Sequence, residues 1–190
     1  MGISFDYFAA PSDEAAATAI DRLDGPRGDR LAPPPAPEPA RRTWWRRRSS
    51  AEATREPVEP AEPGDPLVPF DTVEGFVDPV VQLGTLEELL TGRPFEEILD
   101  DDEVLATIAE RDGGSLLVLR LRNSIAQALA DASDERLAEV LPAWLATEEF
   151  GSGFDRADDV AAVAEFLRDL AALARAARAD GRRLYCWICV

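Results

Sequence analysis

Apolar residues recur at three- and four-residue spacing late in the chain: Val160, Val163, Leu167, Leu170, Ala174 and Ala177 form one stripe, widened by Phe166 and Leu173. That width predicts a long helix facing a core rather than a coiled-coil seam. Asp155, Asp158 and Asp159 stand at its start. Arg168, Arg175, Arg178, Arg182 and Arg183 cluster in and after its second half, the charge order a helix dipole favours. Asp180 and Gly181 supply the stop. The next residues, Arg183-Leu-Tyr-Cys-Trp-Ile-Cys-Val190, carry strand chemistry. Leu184, Cys186, Ile188 and Val190 would face one way, and Tyr185, Trp187 and Cys189 the other. With both faces apolar, this strand is expected at the centre of a sheet.

The remaining pattern supplies shorter elements. Ile3, Phe5 and Tyr7 alternate with Ser4 and Asp6 until Phe8 breaks the rhythm, which predicts a half-buried strand. Ser12, Asp13 and Glu14 open a short helix carrying Ala17, Ile20 and Leu23 as far as Asp24 and Gly25. Residues 68–81 are apolar but punctuated by Pro69, Gly75 and Pro79, so a short strand or an irregular loop is expected there. Helices are predicted over residues 85–90, closed by Gly92, and 101–111, closed by Gly113 and Gly114. Residues 115–121 form a third clear strand. Asn123 opens a helix through Ile125 and Leu129, and Ser133 opens another through Leu137, Val140 and Leu141 to Trp144. Pro142 inside that pattern predicts a kink or a break.

This element order predicts an α+β fold, with a small sheet that includes the N- and C-terminal strands and helices packed mainly on one face. Residues 1–24 and 67–190 are read as a single domain. Most of the 15 prolines fall in the intervening stretch, 25–66, which is poor in aliphatic residues. Such a segment cannot bury enough apolar surface to offset its ordering entropy, so a disordered Pro/Arg-rich insert is expected.

Charge sharpens this division. The chain of 190 residues has a net charge of −17 and no His. Between Gly25 and Pro66 there are 8 Arg against 7 acids, leaving 12 Arg against 30 acids for the rest. A body so acidic repels phosphate backbones. Without His, neither a Ser/His/Asp nor a Cys/His triad can form, and the commonest zinc ligand is missing. No apolar run is long enough to span a membrane and no secretory h-region stands at the start, so a cytoplasmic location is expected.

Three local features invite chemistry. Cys186 and Cys189 have C-x-x-C spacing, yet on a strand they point to opposite faces and suit neither a disulfide nor one metal. Asp100, Asp101, Asp102 and Glu103 fit a helix start better than a metal loop, and Glu148 and Glu149 lack EF-hand spacing. No Gly-rich phosphate loop or Gly-x-Ser-x-Gly elbow occurs. The sharpest feature is basic: Arg41, Arg42, Trp44, Trp45, Arg46, Arg47 and Arg48 combine cations with stacking or interfacial side chains. Single-stranded nucleic acid or an anionic membrane could be contacted through this insert alone. The segment could equally dock on the acidic body of its own chain or serve as a solvated linker.

Phe5-Asp-Tyr-Phe8, Asp78-Pro-Val-Val-Gln-Leu-Gly84, Trp144 with Glu148-Glu149-Phe150, and the ending Leu184-Tyr-Cys-Trp-Ile-Cys-Val190 together resemble a group of uncharacterised proteins from GC-rich bacteria. The order of elements is also weakly similar to the YfbM-like family of unknown function, which has no counterpart of the basic insert. Neither resemblance implies an activity, cofactor or catalytic residue. The leading expectation is a protein-binding or regulatory domain with a protein partner and no cofactor, metal or catalytic residue. The alternative is a carboxylate-dependent hydrolase or transferase working without His.

Overall fold

The computed structural model describes residues 2–32, 67–99, 106–151, 154 and 156–190. Among them are five strands: β1 (Ser4–Ala10), β2 (Thr72–Gly75), β3 (Ala106–Arg111), β4 (Leu116–Arg120) and β5 (Arg183–Cys189). They form one antiparallel sheet in the order β2-β1-β5-β4-β3. The fold is α+β, and the terminal strands β1 and β5 are neighbours within the sheet.

β5 lies at the centre because both of its faces are apolar. Leu184, Cys186 and Ile188 enter the main core, whereas Tyr185 and Trp187 pack into a second, smaller cluster on the opposite face. The same two-sided cover explains Phe8. Phe5, Tyr7 and Ala9 join the main core while Phe8 and Ala10 fill the second cluster, so β1 is buried on both faces rather than one. Six of its seven residues are buried, the polar Asp6 among them.

Helices α2 (Val81–Thr91), α4 (Asn123–Asp131), α5 (Asp134–Leu145) and α6 (Ala157–Ala179) cover the main face. The stripe Val163, Phe166, Leu167, Leu170, Leu173, Ala174 and Ala177 of α6 is buried there. Each large side chain so removed from water contributes roughly 1.5–3 kcal/mol. Trp144 of α5 is fully buried, and its indole N–H donates to the Gln82 carbonyl of α2 at 2.8 Å. α5 begins at Ser133, whose hydroxyl accepts from the Arg136 amide, and runs unbroken through Pro142. α2 starts earlier than its apolar pattern predicts. Asp78 Oδ1 accepts from the Val80 and Val81 amides at 2.7 and 2.8 Å, and Gln82 Oε1 accepts from the Asp78 amide at 2.7 Å. These bonds supply caps that periodicity alone does not reveal. Between α2 and α4 lies a sealed ion pair, Arg122 Nε to Glu87 Oε2 at 3.0 Å, with side chains only 4% and 0% exposed. Glu87 Oε1 and Arg122 Nη2 have no hydrogen-bond partner among the described residues.

The opposite face is covered by α1 (Asp13–Ala17) and two 3₁₀ turns, Thr18–Asp21 and Gly25–Arg27. These pieces are too short to hide the sheet by area alone, and directed polar contacts supplement the packing of Phe8 on Tyr185 and Phe70. Tyr185 donates to Asp13 Oδ1 at 2.8 Å while Arg120 pairs with Asp13 Oδ2 at 2.7 Å. Burial, together with the Asp13 bond, raises the Tyr185 hydroxyl above its ordinary range. Arg111 pairs with Asp21.

Two further sequence expectations need correcting. Residues 106–111 are a strand, not the second half of a helix over 101–111; residues 101–105 lie outside the described residues. Asp112, Gly113 and Gly114 all have positive φ and turn the chain so that Arg111 pairs with Leu116. The glycine pair read as a helix stop is a hairpin turn, and sheet pairing overrides the helix preference of Ala, Glu and Arg. Secondly, residues 25–32 belong to the folded body. Gly25 and Pro26 are buried, Arg22 bridges Leu31, and the Leu67 amide donates to the Asp29 carbonyl at 2.8 Å. The chain therefore leaves and re-enters the body at one place.

Candidate functional site

β2 lies at one edge of the sheet, and the side of it that faces away from β1 is unpaired among the described residues. The Ala9 amide donates to the Asp71 carbonyl at 3.1 Å. Since hydrogen-bonded residues alternate along an antiparallel pair, Val73 and Gly75 also turn their backbone groups toward β1. The amides and carbonyls of Thr72 and Glu74 consequently point outward. This row can accept a further strand.

α6 runs beside that edge. Its approach is close because Gly75 has no side chain: a Cβ there would lie 2.6 Å from the Phe166 ring. Strand and helix bound an open groove of about 610 Å³, lined by Asp71, Thr72, Val73 and Glu74 on one side and Asp169, Ala172, Leu173 and Ala176 on the other. Leu173 is buried and Val73 half-buried, forming an apolar floor, while Ala172 and Ala176 are exposed. The small side chains leave room for larger ones brought by an occupant.

The charged lining is acidic throughout. Asp71 and Glu74 are exposed and already paired, with Arg182 at 2.6 Å and Arg27 at 2.8 Å. The Arg27–Glu74 pair is exposed on both sides and worth only about 0–1 kcal/mol, whereas Arg182 is only 20% exposed; each carboxylate has acceptor sites to share with another guanidinium. Asp169 is exposed and makes no ion pair among the described residues. Arg27 also reaches back to the buried Asp6, at 3.1 Å, tying the 3₁₀ turn to β1 and β2. Burial is the larger influence on Asp6 and raises its pKa above the ordinary 3.8, against the pull of Arg27.

Beside this edge stands the root of the insert. Arg22 is 8% exposed, donates to the Gly28 and Val68 carbonyls at 3.2 and 2.8 Å, and lies 4.2 Å above the Phe70 ring. Burial lowers its pKa. It joins the outgoing stem to the returning one. Sequence periodicity gives no hint of this clip, because an Arg beside Leu23 reads as a solvated surface residue.

No family model, curated protein or solved structure matches this chain.

The basic cluster Arg41, Arg42, Trp44, Trp45, Arg46, Arg47 and Arg48 lies outside the described residues, as do Asp100, Asp101, Asp102 and Glu103. Cys186 and Cys189 are free thiols, the first buried on the helix-covered side and the second half-buried. Burial pushes the Cys186 thiol up, which disfavours the reactive thiolate. Among the described residues no three acidic or Cys side chains converge as a metal site would require. No helix among them is long and apolar enough to cross a membrane. A second cavity of about 260 Å³ lies between α4 and the end of α6, where Arg178, Arg182 and Arg183 contribute to its wall. Each of these arginines already faces a carboxylate: Asp131, Asp71 with Asp180, and Asp13 respectively.

Proposed function

We propose that this chain is a protein-binding module, acting in the cytoplasm, that captures a basic extended segment as an added strand on β2. One observation carries the reading: the outward backbone groups of Thr72 and Glu74 lie beside a groove whose charged residues, Asp71, Glu74 and Asp169, are all acidic. Strand addition takes its affinity from main-chain hydrogen bonds and its selectivity from alternate side chains. Here alternate side chains would rest on Leu173, Ala172 and Ala176, with cations beside the carboxylates. The same acids repel a second copy of this edge, so they discriminate as well as attract. The two free thiols, one of them in the core, suit a reducing compartment.

The test is a fluorescence-polarisation titration of the full chain with a labelled arginine-rich peptide, taken to millimolar concentration. Asp169→Arg combined with Ala172→Arg places two cations on exposed helical positions and is expected to weaken binding at least tenfold while thermal unfolding is unchanged. Equal affinity in the variant would remove the groove from consideration.

A further inference from the structure

We infer that the cavity between α4 and the end of α6 is a binding site for a small phosphate monoester, held by Arg178, Arg182 and Arg183. Its lining shares no residue with the groove on β2.

One tight turn builds the arginine wall. At the end of α6 the Gly181 amide donates to the Arg178 carbonyl at 3.2 Å and the Arg182 amide to the Ala177 carbonyl at 2.7 Å, with Gly181 at φ 66°. These two bonds close the helix around a left-handed residue, a conformation that glycine adopts without a Cβ penalty. β5 then begins at Arg183, so three arginines close in sequence line the same hollow. The helix dipole accounts for a cation at Arg178 but not for a cavity lined by three.

Charge carries the assignment. The chain has 37 acids against 20 Arg, yet among the described residues the charged lining of this cavity is three arginines and no carboxylate. At physiological ionic strength exposed charges act over only about 8 Å, so the net charge of −17 acts weakly at this distance from most of its sources. The carboxylates that pair with the arginines leave donors to share. The Arg178–Asp131 pair is exposed on both sides, and such pairs contribute little. Arg183 meets Asp13 only at 3.9 Å, with no hydrogen bond between them. Arg182 is held more firmly, by Asp71 and Asp180, but its Nε is buried with no hydrogen-bond partner among the described residues.

Three guanidinium groups suit a phosphate monoester better than a carboxylate. A charge near −2 and three terminal oxygens match donors arriving from separate side chains, whereas a carboxylate offers one charge and two oxygens. At about 260 Å³ the cavity falls below the usual range of sites for drug-sized ligands, which favours a short ester over a dinucleotide. Leu121, Ala177 and Leu184 supply an apolar wall for the carbon chain of that ester.

The experiment titrates the full chain with inorganic phosphate and with propyl phosphate at constant ionic strength, following the Gln127 and Gly181 amides by NMR. Saturable shifts of both amides are expected, with half-saturation by inorganic phosphate on the order of 1 mM. Propyl phosphate is expected to bind at least about threefold tighter, because its chain meets the apolar wall. Arg178→Gln combined with Arg183→Gln should weaken both ligands by about tenfold or more. Gln127→Glu leaves every arginine in place, adds a carboxylate at an exposed position of the lining, and should weaken them similarly. Thermal unfolding checks that each variant is folded, and Gln127→Glu decides the matter if the double variant is not. Arg168→Gln, at an exposed position of α6 outside the lining, should bind as the wild type does. Wild-type affinity in either folded lining variant would overturn the site. Shifts that never saturate, or an equal loss in Arg168→Gln, would reduce the effect to nonspecific screening and overturn it as well. Propyl phosphate binding no tighter than inorganic phosphate would overturn the ester assignment.

Discussion

The two faces of the sheet solve the same covering problem by different physics. On one side, helices α2, α4, α5 and α6 supply enough apolar area to bury Tyr7, Leu121, Cys186 and Ile188, and the only ion pair sealed inside among the described residues is Glu87 with Arg122. On the other, α1 and two short turns present little area, so Arg22, Arg27, Arg111 and Arg120 tie them down through carbonyls and carboxylates. Burial by area does not depend on charge state or ionic screening, whereas a cover held by ions does. The face that meets the insert and neighbours the groove is the one that solvent conditions can loosen.

The largest effect should come from breaking the apolar face. Trp144→Ala removes a fully buried indole and leaves the Gln82 carbonyl without its donor, which should lower unfolding stability by about 3–5 kcal/mol in urea titration. A loss under about 1 kcal/mol would mean that this face is loosely packed around the indole. Close behind, Glu87→Leu alone should destabilise by about 3–5 kcal/mol because Arg122 is left buried and uncompensated, while Glu87→Leu with Arg122→Met should recover most of that loss. A double variant as unstable as the single one would show the pair to be indispensable to this face rather than replaceable by apolar area.

On the ionic face the changes are smaller and more local. Arg22→Ala should lower global stability by about 1–3 kcal/mol and accelerate exchange of the Leu67 and Phe70 amides, since two carbonyls lose a charged donor. Unaltered exchange at those amides would detach Arg22 from the insert's root.

The smallest effect concerns Asp6. Burial raises its folded pKa above 3.8, so the native state holds this proton more tightly than the unfolded chain does. Its contribution therefore grows less favourable as pH rises from near 4 through the folded pKa, and then levels off. The slope over that interval is at most about 1.4 kcal/mol for each step of one in pH. Asp6→Asn should abolish that slope, seen as a pH-dependent gap between the two stability curves that widens toward neutral pH. Parallel curves would show that Arg27 fully offsets the burial.

What could be read from the sequence follows the same contrast. β1, β4 and β5 were legible because they are apolar, and they fill the three central places of the sheet. β2 was left open between a short strand and a loop, and β3 was read as a helix, since edge strands carry Thr, Glu and Arg on exposed sides. The caps at Ser12 and Ser133 could be read from local residue types, whereas the Arg22 clip depends on contacts from Thr18 to Val68. The groove was hidden for a related reason. It joins β2 to a helix about 100 residues later, and its recognition surface is partly backbone, which no residue type announces. The basic segment was visible at once, whereas the groove was not.

The position of β5 also sets a schedule. β1 is pinned between β2 and β5, and its pairing with β5 spans the chain from Ser4 to Cys189. At about 5–20 residues per second, a ribosome releases β1 roughly 10 to 40 s before its partner exists. During that interval a strand apolar on both sides has no central neighbour. Nascent β1 thus waits for its β5 partner until nearly all of the rest of the described chain has been made.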